Sequence, residues 1–179
     1  MYDGLFKGKY CIDAARLTTY DYGSNGCYFV TICTREKLHY FGDIAGQNHE
    51  ACLVPTPIGQ QAIDCWLAIP EHFPFVIPDT FQVMPNHVHG LLWFQKEDDR
   101  QWGQNTFGPQ RQNLASVIRG YKIGVTKFAA SNNIEFGWQA RYYERVVRNE
   151  EELKHIRQYI IQNPAKWYTD YKNDINLFM

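Results

Sequence analysis

Two short patterns carry residue types that could handle a phosphodiester. The first is Met84-Pro85-Asn86-His87-Val88-His89-Gly90-Leu91-Leu92. Strand side chains alternate between faces, so His87 and His89 project together while Val88 and Leu92 project opposite. Two imidazoles at period two can clamp one divalent ion. A lone His-x-His pair also occurs in ordinary strands, but the apolar flanks here give two same-face histidines no packing motive. The second pattern runs from Asn149 to Pro164. Its apolar stripe is Leu153, Ile156 and Ile160. Tyr159 lies beside that stripe, and Asn163, four residues on, points the same way on a helix. Tyr159 could pack its ring against a sheet, or it could be a nucleophile with Asn163 as an oxygen ligand.

Taken together, the two patterns make one mechanism. Two histidines and an amide oxygen hold Mg²⁺ or Mn²⁺ while leaving positions open for phosphate oxygens. A tyrosine hydroxyl attacking phosphorus leaves a covalent phosphotyrosine that keeps the bond energy for rejoining. That suits strand transfer better than hydrolysis.

The elements that must position these residues are readable from pattern. Cys27–Thr34 is β-branched and aromatic and predicts a strand. Thr56-Pro57 caps a helix running to about Phe73, with Ile58, Ala62, Cys65, Trp66 and Ile69 as its stripe. Residues 75–84 and 87–95 predict a hairpin pair joined at Pro85-Asn86. Residues 97–111 are polar, with Gly103 and Gly108-Pro109 marking a loop. Leu114 to about Ser131 predicts a helix, and 138–148 an extended stretch. The last helix starts at the Asn149 cap, with Glu152 completing a capping box, and Pro164 is expected to stop it at Asn163. The order β, α, β, β, α, β, α predicts an α+β fold with a ferredoxin-like, split βαβ antiparallel sheet. Helices cover one face, and an additional C-terminal helix carries the tyrosine. That fold assigns no function by itself.

Length and composition set the frame. A chain of 179 residues predicts a single domain: an irregular segment over 1–25, the core over 26–168 and a tail over 169–179. No apolar run reaches the roughly 18 residues that span a bilayer, and the N-terminus lacks the pattern of a signal peptide. A cytoplasmic protein without a membrane partner is expected. Five cysteines without a C-x-x-C pair argue against a disulfide framework or cysteine zinc site and read as reduced structural thiols. The net charge of −1 hides an asymmetry, because residues 111–168 carry a local +5 against −6 elsewhere. One basic face could hold phosphates, though an ordinary solvated helical surface reads the same way.

The ordered set of motifs resembles the HUH single-tyrosine transposases, most closely the REP-associated tyrosine transposases of bacteria. The resemblance covers nearly the whole chain. It is carried by Arg16-Leu17 with Tyr20-Asp21-Tyr22, by Tyr28–Thr34, by Val83–Leu91, by Trp138-Gln139, by Arg148-Asn149-Glu150 and by Ile156–Pro164. It implies that His87 and His89 bind the metal, that Tyr159 becomes joined to a 5′ phosphate, and that Asn163 completes the metal site. It implies a partner too: single-stranded DNA bearing a hairpin, such as a REP-like palindrome, cut beside the hairpin by a nucleoid-associated monomer or homodimer. Where relatives often have a histidine and an aspartate after the Trp-Gln pair, this chain has Tyr142-Tyr143-Glu144, which puts rate or sequence preference in doubt.

DNA contacts are expected from Arg111, Arg119, Lys122 and Lys127 around the second long helix, and from Arg141, Arg145 and Arg148 after it. Interleaved Tyr121, Tyr142 and Tyr143 fit phosphate contact with base stacking, or a solvated helix with core tyrosines. Arg16 and Tyr20 to Tyr22 could read unpaired bases, and His155 reads as a surface residue or phosphate contact. A non-catalytic nucleic-acid-binding module with the same sheet is the alternative, but it leaves the histidines, Tyr159 and Asn163 unexplained. A phosphoesterase acting on a small substrate would gather more carboxylate ligands.

Overall fold

The computed structural model describes residues 5–6, 10–11, 20–97 and 112–173, with side chains over 20–97 and 112–167. Two short strands come first, β1 (Leu5–Phe6) and β2 (Tyr10–Cys11), followed by β3 (Gly26–Cys33), β4 (Gly42–Ala45) and β5 (Cys52–Pro55). Helices α1 (Pro57–Leu67) and α2 (Ile69–His72) lead to β6 (Val76–Met84) and β7 (His87–Phe94). Helix α3 (Leu114–Ser131), strand β8 (Tyr143–Val147) and helix α4 (Glu150–Asn173) complete the described chain.

The main sheet has the order β6-β7-β3-β8 and is antiparallel throughout. Its two faces are distinct because side chains alternate. Tyr28, Val30, Ile32, Val88, Leu92 and Phe94 point to one face, where Ile58, Ala62 and Trp66 of α1 and Leu114, Val117, Ile118 and Val125 of α3 cover them. Cys27, Phe29 and Leu91 point to the other, where Leu153 and Ile160 of α4 cover them. The two faces are therefore covered by different helices. Helices α1 and α3 share a face, and α4 lies on the opposite one, the face of the histidines. Gly90 marks the closest approach of α1: a Cβ there would stand 2.2 Å from Cζ2 of the fully buried Trp66.

Local chemistry explains the element ends. The Thr56 hydroxyl accepts the Gly59 amide at 3.1 Å and Pro57 opens α1. Pro70 then divides the expected 57–73 helix, because proline lacks the N–H that would continue the ladder, and α2 restarts with that proline in its first turn. Asn113 caps α3 reciprocally with Ser116, a capping box the sequence reading missed. The extended 138–148 stretch narrows to β8, plus a bridge between Thr34 and Trp138.

Two further differences matter for the site. Pro164 lies inside α4, which continues to Asn173. An interior proline costs about 3 kcal/mol, and the burial of Ile160, Asn163 and Pro164 offsets it. The row Ile156, Ile160, Asn163, Trp167 keeps helical spacing past the proline, a signal present in the sequence. The segment expected to be irregular over 1–25 contains the paired strands β1 and β2. Tyr22 is core, 5% exposed, and with Tyr20 it packs edge-on or tilted against Tyr28. Arg16, Arg111 and the stretch 98–111 lie outside the described residues.

Candidate active site

His87 and His89 stand on one face of β7 with ring centroids 4.4 Å apart. Strand β7 is central, flanked by β3 and β6, so neighbouring ladders hold the backbone of both histidines. Phe29 of β3 stacks on His89 at 5.7 Å and meets the Tyr159 ring edge-on at 6.3 Å, forming a floor under both.

The hydrogen-bond partners determine which nitrogens are free. Asn86 Nδ2 donates to the Lys37 carbonyl at 3.1 Å, which leaves its Oδ1 as an acceptor 2.7 Å from His87 Nδ1. His87 therefore carries its proton on Nδ1 and presents a lone pair at Nε2, and that buried atom has no hydrogen-bond partner. On His89, Nδ1 lies 2.8 Å from Thr31 Oγ1 and Nε2 lies 3.2 Å from the Tyr159 hydroxyl. With Nδ1–H donating to Thr31, Nε2 accepts from Tyr159. Outer partners that fix imidazole orientation and tautomer in this way are typical of histidines that ligate metals.

The turn before His87 is held from outside. The Thr34 amide donates to the Asn86 carbonyl at 2.9 Å, and the Thr34 hydroxyl is shared between the carbonyls of Leu38 and Asn86. The Phe41 amide donates to Pro85 O at 3.0 Å. The 34–41 segment thus aims the first histidine.

Burial keeps both rings neutral. The His87 pKa is lowered to about 4, chiefly by desolvation, then by the nearby Lys37 charge, with the Asn163 amide acting in the opposite sense. His89 is pushed well below its ordinary value by burial and then by His87. Neutral imidazoles are the form that binds metal. Asn163 is buried beside His87, as the i, i+4 spacing from Tyr159 requires. Among the described residues no group of three His, Cys, Asp or Glu is placed to hold a metal. An ion here would rest on the two imidazoles and an amide or hydroxyl oxygen. The unpartnered Nε2 of His87 fits that donor set.

Several neighbours carried no obvious signal. Trp167, beyond Pro164, places its ring 5.9 Å from His87 and 5.4 Å from His39. Thr31 and Phe29 sit in a strand that reads simply as β-forming. Asn86 was visible beside His87 but looked like a turn residue.

A groove of about 850 Å³ runs from Tyr159 along the first half of α4 to β8. Tyr143, Arg145, Arg148 and His155 line it. Arg148 and His155 are exposed, whereas Arg145 is paired with Glu152 at 2.6 Å. The remaining cations lie elsewhere. Arg119, Lys122 and Lys127 line a second groove of about 490 Å³ on α3, on the other side of the sheet. Lys122 is committed to the Gln139 and Arg141 carbonyls at 2.8 and 3.4 Å, so it holds the 138–142 segment. Arg141 is exposed on that segment. Among the described residues, the predicted DNA contacts therefore fall into two groups, and Arg145 and Arg148 are the ones that share a groove with Tyr159. Glu144 pairs with Val30 in register and belongs to the face away from the histidines, while Tyr143 pairs with Thr31 on their side.

The site thus brings paired histidines on a central strand to face a tyrosine on a crossing helix. No family model matches the chain. An uncharacterised protein of Haemophilus influenzae is 36% identical over 164 residues, 87% of this chain and 89% of that protein. A second protein of the same organism, provisionally named a REP-associated tyrosine transposase, is 22% identical over 82% of this chain and 74% of its own length. Among solved structures, a REP-associated tyrosine transposase bound to a REP hairpin superposes with a TM-score of 0.56 at 20% identity, covering 83% of this chain and 72% of that one. The chain is thus similar in sequence to a protein bearing the name REP-associated tyrosine transposase, and similar in fold to a solved member of that family. No helix among the described residues is long and apolar enough to cross a membrane.

Proposed function

We propose that this protein is a metal-dependent single-stranded DNA endonuclease and strand transferase that cuts beside DNA hairpins through a covalent 5′-phosphotyrosine. The observation that carries the reading is the Tyr159 hydroxyl 3.2 Å from Nε2 of His89, beside a second histidine whose Nε2 is unpartnered. A sheet order of β6-β7-β3-β8, with α1 and α3 as crossovers, supports the split βαβ reading of the fold. The solved relative in complex with a REP hairpin supports hairpin DNA as the partner, met in the nucleoid.

His87, His89 and Asn163 would hold Mg²⁺ or Mn²⁺, which when bound neutralises charge on the scissile phosphate. The protein's own residues orient the reaction. Thr31 and Asn86 fix the imidazoles, and Phe29 supports the Tyr159 ring beside them, so that the hydroxyl, which rests on Nε2 of His89 in the metal-free site, stays next to the position an ion would take. Attack of the Tyr159 oxygen on phosphorus forms the new P–O bond and breaks the bond to the 3′ oxygen. The phenol gives up its proton and the departing 3′ oxygen gains one, leaving a free 3′ hydroxyl. The reverse attack by a 3′ hydroxyl rejoins strands and frees Tyr159. Arg145, Arg148 and Tyr143 would carry the unpaired strand along the groove.

The test is cleavage of hairpin-bearing single-stranded DNA with Mg²⁺ or Mn²⁺, comparing wild type with Tyr159→Phe. A protein–DNA adduct present only in the wild type is expected. Cleavage that survives in the variant would remove Tyr159 as nucleophile, and metal-independent binding without cleavage would favour a binding module.

A further inference from the structure

Asp79 was not among the residues the sequence singled out, yet it is the most heavily bonded carboxylate beside α4. A register shift between Pro78 and Phe81 interrupts β6 where it stands. Arg157 donates to it through two nitrogens, Nε to Oδ1 at 3.0 Å and Nη2 to Oδ2 at 2.5 Å. Trp93 Nε1 donates to Oδ2 at 2.9 Å. The amide and hydroxyl of Thr80 donate to Oδ1 at 2.5 and 2.9 Å. The side chain of Asp79 is 15% exposed and that of Arg157 39%. A two-pronged pair with a further indole donor has the geometry that ordinary surface pairs lack.

Its place on the helix gives the pair a use. The centre of the α4 contact is apolar, Leu153 and Ile160 on Cys27, Phe29 and Leu91, and the Arg145–Glu152 pair ties the first turn to β8. Apolar contact is non-directional and tolerates small rotations. Arg157 and Tyr159, two residues apart, lie roughly 160° from each other around the helix and so flank the buried stripe on opposite sides. One side is tied to β6 through Asp79. On the other, Tyr159 meets His89. Rolling the helix about its axis would lift one side as it lowers the other.

We infer that Asp79, acting through Arg157 and braced by Trp93, is a positioning residue that sets the roll of α4 and thereby holds the Tyr159 hydroxyl beside the histidine pair, where in the metal-free protein it meets Nε2 of His89. The inference rests on the reading of Tyr159 as nucleophile. Displacement of a reacting group by about 1 Å can cost around 10²-fold in rate.

The test uses Arg157→Lys, which keeps the charge and the aliphatic stem but loses the planar fork, together with Asp79→Asn. The first readout is the ¹⁵N resonance of His89 Nε2 in the metal-free protein, with Tyr159→Phe as the reference for a lost hydrogen bond. The second is the single-turnover rate of adduct formation at saturating hairpin DNA and Mn²⁺. In both variants the resonance is expected to move toward the Tyr159→Phe position. Adduct formation should slow by about 10- to 100-fold while hairpin affinity is unchanged. An unmoved resonance in either variant would overturn the inference, as would a rate loss matched by lost DNA binding. If the wild type forms no adduct with any hairpin, the nucleophile reading fails and the resonance alone decides whether Asp79 positions Tyr159.

Discussion

Thr31 Oγ1 lies 2.8 Å from Nδ1 of His89, on the side of the ring opposite the Tyr159 hydroxyl. A single imidazole thus links β3 to α4, with Nδ1 held at the threonine and Nε2 facing the tyrosine. Removing that oxygen without changing shape should loosen the site while the strand survives. Thr31→Val is expected to weaken Mn²⁺ binding by about 10- to 100-fold, measured by titration calorimetry. Thr31→Ser should bind nearly as the wild type does, and equal losses in both variants would show that the hydroxyl is not what matters.

Metal binding should also appear as stability. A ligand that binds only the folded state at 100 times its dissociation constant adds about 2.7 kcal/mol. Saturating Mn²⁺ is expected to raise the melting temperature of the wild type and to leave that of His87→Ala unmoved. A shift retained in His87→Ala would place the ion elsewhere.

The two depressed histidine pKa values set an acid limit. Both rings stay neutral in the fold at pH values where an unfolded histidine, near 6.5, takes up a proton. The unfolded state then binds more protons, so stability is full above about pH 6.5. It should fall as pH drops toward 4, where His87 begins to charge in the folded state. Denaturant melts between pH 8 and 4 should show this slope, and it should shrink in His87→Gln.

Gly90 has no room for a methyl group against Trp66. Because that indole is fully buried, it cannot move aside freely. Gly90→Ala is expected to cost about 1–3 kcal/mol in chemical denaturation. A cost near zero would mean that α1 can withdraw from the sheet.

In the groove beside Tyr159, the two contact types should separate in salt titrations. Arg148→Ala should weaken hairpin DNA binding and lower the slope of log affinity against log salt by about 1. Tyr143→Ala should cost about 1–3 kcal/mol per stacked base with the slope unchanged. Identical behaviour in the two variants would argue against a strand lying in this groove.

Much of this protein is legible without coordinates because periodicity is local. The β-branched and aromatic run 27–34 and the extended run 87–95 placed the central strands, and strand alternation put His87 and His89 on one face. The spacing of Tyr159 and Asn163 placed both on one side of a helix whose Asn149 start was also visible; there the Asn149 side chain accepts the Glu152 amide at 2.8 Å. What local rules misjudged was Pro164. The cost of an interior proline is local, but the burial that outweighs it comes from residues distant in sequence.

The chain by itself determined the donor types, the strand and helix periods, and the pairing of histidine with histidine and tyrosine with asparagine. Tertiary structure decided which of these groups meet. It laid α4 across the histidine face, brought Tyr159 to His89 over 70 residues of sequence, and carried Trp167 to His87. It also separated Arg119 and Lys127 from the groove that Arg148 shares with Tyr159. The Asp79–Arg157 pair spans 78 residues, and no window of sequence connects its ends. Side-chain periods follow from backbone geometry over a few residues, whereas the meeting of two faces depends on how apolar stripes from distant segments bury one another.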